Sequence, residues 1–192
     1  MKYRNMGMAR VALITCLSLP LVGCSGVTQL LQGEAGQQVT VKASDQTPPS
    51  GITLETQGRA GGDVILGLGA PPLAINIGRG ESFILRAVAE DSDGIKEVAI
   101  WGTTEKTCTD PTTGTAQVTG PGLQAAPLIK DMSSATVGGT ASSVRYVSYV
   151  VKVDSTCPPT APRLIVRFVF WGEAKNFSSL RTLGPKLTIT AK

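Results

Sequence analysis

RLIVRFVFW, residues 163–171, reads as one strand. A two-residue period puts Leu164, Val166, Phe168 and Phe170 on one face and Ile165, Arg167, Val169 and Trp171 on the other. Arg167 cannot enter a dry core unpaired, so the first face is expected inward. The same alternation recurs outward from this stretch. In VRYVSYVVKV, residues 144–153, the inward set is Val147, Tyr149, Val151 and Val153, because Ser148 and Lys152 share the other face. ESFILRAVAE, residues 81–90, aligns Phe83, Leu85, Ala87 and Ala89, and GITLETQ, residues 51–57, aligns Ile52 and Leu54. DVILGLGAPPLAINIG, residues 63–78, holds two short apolar runs around a Pro-Pro break, and IKEVAIW and KLTITA add further short runs. Glycine, proline, serine and threonine fill the gaps, and no window has a helical period flanked by caps. Short strands separated by turn signals predict an all-β sandwich or barrel, here a single domain over residues 48–192.

The chain starts differently. Lys2, Arg4 and Arg10 are the only charges before an apolar run at residues 11–19, followed by LPLVGCSG. A basic start, a short apolar run and a small residue before a break are the parts of a signal peptide. The run is too short to span a bilayer as a helix, which takes about 20 residues. Leu21-Val22-Gly23-Cys24 resembles the lipobox of bacterial lipoproteins. The resemblance implies removal of residues 1–23, a diacylglycerol thioether on Cys24, and acylation of the new amine. Two or three acyl chains hold a protein stably on a bilayer. Ser25, where some members of that group carry an aspartate that retains them in the inner membrane, implies the outer membrane in a host that has one. Residues 24–47, polar and glycine-containing, are expected to be a flexible tether, in which Val39, Val41 and Ala43 alternate as a short strand would.

Eighteen basic residues face fourteen acidic ones, but three of the basic ones lie in the leader, which leaves fifteen against fourteen. With no basic stripe and few aromatics, a nucleic-acid partner is not expected. Cys16 would leave with the leader and Cys24 would carry lipid. Cys108 and Cys157 are then an even pair in an oxidising compartment, expected to form a disulfide between two turn-rich segments. A zinc site is disfavoured, since the chain has no histidine and two cysteines lack companions.

AVAEDSDGIKEVAIW, residues 87–101, is similar to a segment of bacterial immunoglobulin-like and cadherin-like domains, where a strand ends in an acidic Asp-x-Asp-Gly turn and an isoleucine starts the next. FWGEAKNFSSLRTLGPKLTIT is similar to their last hairpin. The resemblance implies an immunoglobulin-like antiparallel β-sandwich, and residues 103–143 depart from it as an expected insertion. Asp91 and Asp93 begin like a calcium loop, yet no aspartate follows at its fifth position and no glutamate at its twelfth. They are expected to form a turn in which Gly94 takes positive φ, with no metal.

Trp101-Gly102 and Trp171-Gly172 each close a strand. The expected role of the indoles is to cap the core. With Tyr146 they are also a candidate platform for a sugar ring. Without histidine, the usual acid–base and triad chemistry lacks its partners, and no cofactor motif is present. The expected function is therefore non-catalytic: a membrane-anchored envelope lipoprotein that binds another envelope protein or plays a structural part. The alternative is glycan or cell-wall binding along the Trp101/Trp171 edge.

Overall fold

The structure is a computed structural model that describes residues 32–78, 80–109, 112–114, 116–119, 126–152 and 163–191. Among the described residues are eleven strands: β1 (Gln32–Thr40), β2 (Gly51–Gln57), β3 (Ile65–Leu66), β4 (Leu73–Ile77), β5 (Ser82–Glu90), β6 (Ile95–Thr109), β7 (Ala116–Thr119), β8 (Ala126–Met132), β9 (Thr140–Lys152), β10 (Arg163–Asn176) and β11 (Arg181–Ala191). They form two sheets packed face to face, an all-β sandwich. The first has the order β1-β9-β5-β2-β3. The second has the order β4-β11-β10-β6-β7, with β8 also on β6. Every pairing is antiparallel except β4 on β11, which is parallel and makes the second sheet mixed.

The alternating faces meet in the middle. Ile52 and Leu54 of β2, Phe83, Leu85, Ala87 and Ala89 of β5, and Val147 and Val151 of β9 are buried against Val98, Ile100, Val166, Phe170, Leu187 and Ile189 of the other sheet. Phe168 is half-buried and stacks on Phe170 at 5.7 Å. Arg167 is on the opposite face, paired with Glu105 at 3.8 Å. The side chains of Leu164 and Val153 lie outside the described set.

Two expectations are corrected. The stretch 24–47 is not all tether, because β1 lies within it and pairs with β9 from Gln32↔Val147 to Thr40↔Thr140. The Val39/Val41/Ala43 alternation overlaps only the end of β1, at Val39; most of the side chains of β1 face solvent, and backbone pairing holds it. Residues 103–143 are not a separate insertion. β6 runs on to Thr109, and β7 and β8 pair with its two ends, so this stretch widens the second sheet.

Each Trp-Gly pair has a simple geometry. Adjacent residues in a strand face opposite ways, so the indoles point out and the glycines point in. A Cβ on Gly172 would lie 2.7 Å from Ile52 Cδ1, and one on Gly102 would lie 3.0 Å from Phe170 Cδ1. The glycines let large residues of the core come close to the backbone.

Candidate functional site

Trp101 and Trp171 are directly opposite each other on β6 and β10. Their rings stack, with centroids 6.4 Å apart and planes 10° from parallel. Both are half-buried on the outer face of the second sheet, so they do not cap the core between the sheets. Trp101 Nε1 is buried without a hydrogen-bond partner among the described residues. The outer face continues into an ion triad. Lys175 Nζ lies 3.0 Å from Glu97 and 3.2 Å from Glu173. Its pKa is raised, chiefly by the hydrogen bond to Glu97.

Tyr146 does not join the two indoles. It belongs to β9 of the first sheet and faces out there, on the other side of the sandwich. Arg86 sits 4.1 Å from its ring centroid, and Arg86 also meets Glu55 at 3.3 Å. Across the pair, Gly33 of β1 leaves the room that the Tyr146 ring fills, since a Cβ there would be 2.2 Å from Oη. The three aromatics are thus a stacked pair and a separate cation–π pair.

A second cluster sits at one end of the sandwich. The β5–β6 turn has the expected form: Asp93 N–H donates to Asp91 Oδ1 at 2.8 Å, Gly94 N–H to Asp91 O at 3.3 Å, and Gly94 has φ 96°. Gly94 is also crowded, because a Cβ would come within 3.1 Å of Ala141. The turn meets Asp45, from the connection between β1 and β2. Asp45 Oδ1 accepts from Thr47 N–H and Oγ1–H, both at 2.9 Å, and Oδ2 accepts from Asn176 Nδ2 at 2.7 Å. Asn176, fully buried at the β10–β11 turn, also bonds Thr47 O at 2.6 Å and accepts from Leu180 N–H at 2.9 Å. One oxygen each of Asp45, Asp91 and Asp93 lies within 4.8 Å of the others. Lys42 pairs with Asp93 through a short contact.

The acids differ in their titration. Burial pushes the Asp91 carboxyl up, the Asp45 and Asp93 charges add to it, and the Asp93 N–H opposes it. Burial would also raise Asp45, but the hydrogen bonds from Thr47 and Asn176 and the nearby Lys42 outweigh it and hold its pKa down. Sequence reading missed Asp45. It lies 46 positions before Asp91, in a segment read as tether, and no local spacing links the two.

Arg145 is a further buried polar group the sequence did not single out. It has the inward parity of Val147, yet it is satisfied: Nε donates to Asp131 Oδ2 of β8 at 2.8 Å, and Nη1 makes a short contact with Glu34 of β1. The pair with Asp131 crosses between the sheets.

Cys108 is buried on β6 and disulfide-bonded. Cys157 and Cys24 lie outside the described residues. No known family model matches the chain, and no curated protein matches it.

Proposed function

We propose that this protein is an envelope lipoprotein, anchored through Cys24, whose immunoglobulin-like sandwich binds a protein partner and performs no catalysis. The partner adds a strand to the edge of β4. That edge is the observation that carries the reading. β4 pairs only with β11 among the described residues. Its sequence LAINI bears no charge. Natural edges are usually blunted by charged side chains, bulges or covering loops, since unpaired N–H and C=O groups otherwise recruit another strand. A bare edge of five residues suits strand addition, where backbone bonds supply affinity and alternate side chains supply specificity. The lipobox supports the location: an anchored domain meets membrane partners at raised effective concentration.

Two variants test this. Cys24→Ser is expected to lose lipid labelling and membrane retention. The double variant Ala74→Lys/Asn76→Lys, at two exposed positions of β4, is expected to keep its melting temperature and lose the partner captured by crosslinking in intact cells. Capture unchanged by the two lysines refutes the edge assignment. The stacked Trp101/Trp171 pair beside the Glu97–Lys175–Glu173 triad favours the second reading, a glycan site. Glycan binding by the purified protein that disappears in Trp171→Ala, with no protein captured in cells, would put that reading first.

A further inference from the structure

We propose that Asp45, Asp91 and Asp93 form a binding site for one divalent cation of calcium size, which ties the segment entering β2 to the β5–β6 turn. The acidic cluster alone would not argue this. Asp91 supplies the second observation. The residue is 4 % exposed. Its Oδ1 is occupied by the Asp93 N–H. Its Oδ2 is buried and has no hydrogen-bond donor among the described residues, in a carboxylate that has an oxygen within 4.8 Å of one from each of the other two. Buried polar atoms are nearly always satisfied, and an orphan points to a missing water, proton or ion.

The charge balance selects the ion. Among the described residues, three carboxylates against the ammonium of Lys42 leave two negative charges unbalanced, the charge of one divalent cation. Lys42 is a loose substitute, with its side chain 64 % exposed. All the donors are oxygen, which suits a hard cation and not zinc or copper. Three oxygens no more than 4.8 Å apart fit the span of roughly 4.6–5.2 Å between opposite ligands of calcium, which binds oxygen at about 2.3–2.6 Å. Asp45 has room to join. A carboxylate offers about four acceptor sites, and three are taken by Thr47 and Asn176. Those bonds hold it in place, as outer partners of metal ligands do. Water would complete the shell.

The reading goes beyond partner binding and does not depend on it. The full chain, stripped with EDTA, is melted at matched ionic strength without and with 10 mM calcium, and titrated by calorimetry. A dissociation constant on the order of 10⁻⁴–10⁻³ M, usual for extracellular modules, predicts a Tm rise of about 3–10 °C with one ion bound. Asp45→Asn and Asp93→Asn should each abolish the rise. Asp93 is only partly buried, so its variant remains informative if Asp45→Asn fails to fold. Lys42→Gln should enlarge the rise by removing the competing ammonium. An unmoved Tm in the stripped protein overturns the proposal. So does a rise that persists in Asp93→Asn, or an equal rise with magnesium.

Discussion

Gly172→Ala tests the packing of the sandwich most sharply. Gly172 has no positive φ, so alanine fits the backbone and only the new methyl matters. That methyl would stand 2.7 Å from Ile52 Cδ1, 3.1 Å from Ile52 Cγ1 and 3.6 Å from Ala87 Cβ. Ile52 is 1 % exposed, so it has nowhere open to swing. Overpacking of this kind costs about 1–3 kcal/mol. The stiffer unfolded chain returns about 0.4–1 kcal/mol, so the net loss is about 1–2 kcal/mol. Ile52→Val removes Cδ1, the atom in the clash, and alone costs about 0.5–1.5 kcal/mol. In the double variant the valine makes room for the alanine. The combined loss should fall short of the sum by about 1 kcal/mol, the coupling expected of residues in contact. Urea titration followed by tryptophan fluorescence measures all four proteins, with a constant m-value as the check that Cm reports stability. Strict additivity, or a neutral Gly172→Ala, would refute the claim that this glycine exists to admit Ile52.

Arg145→Ala should destabilise the protein by about 3–5 kcal/mol in the same assay, because it leaves the Asp131 carboxylate without its cation. For Asp91, whose folded pKa is raised, the penalty of ionisation in the fold is absent below its unfolded value of 3.8. It grows as pH rises through the folded value. In EDTA, Asp91→Asn should therefore gain stability relative to the parent at pH 7, and the gain should shrink when both are measured at pH 3.5. Untreated protein should show Cys108 and Cys157 protected from alkylation until reduction. Reduction should cost about 4 kcal/mol for a loop of about fifty residues. Ready labelling of both thiols in the folded, unreduced protein would exclude their disulfide.

Much of the sandwich was legible because its strands are half-buried and alternate. Phe83, Leu85, Ala87, Ala89, Ile52, Leu54, Val147 and Val151 fall inward as the two-residue period predicts. The sequence is silent where burial does not drive the strand. β1 and the far end of β6 are paired through the backbone and carry glutamine, threonine and lysine, so no apolar period distinguishes them from loop. The repeated Trp-Gly pair is legible in the sequence, but neither pair closes its strand: β6 runs on to Thr109 and β10 to Asn176, and only the structure shows that the two strands are neighbours. Tyr146 lies apart from them on β9 of the other sheet, and the sequence does not show this because a single sequence gives no register between sheets. Asp45 and Arg145 show the same limit. Each has at least one partner more than a hundred positions away, Asn176 for Asp45 and Glu34 for Arg145, and only the folded chain brings these together.

On the proposed anchor at Cys24, the pairing of β1 with β9 would limit how far the domain can stand from a membrane. With the domain starting at residue 48, an acylated Cys24 would leave a leash of roughly 80 Å when fully drawn out. With strand pairing from Gln32, only eight residue steps remain, at most about 28 Å, whatever path they take. On the proposed Cys24 anchor, the first strand of the sandwich would then lie within that distance of the lipid headgroups. Lengthening the leash by inserting residues after Ser25 would raise the domain while leaving the contacts among the described residues in place, and so separates height from affinity in the cell.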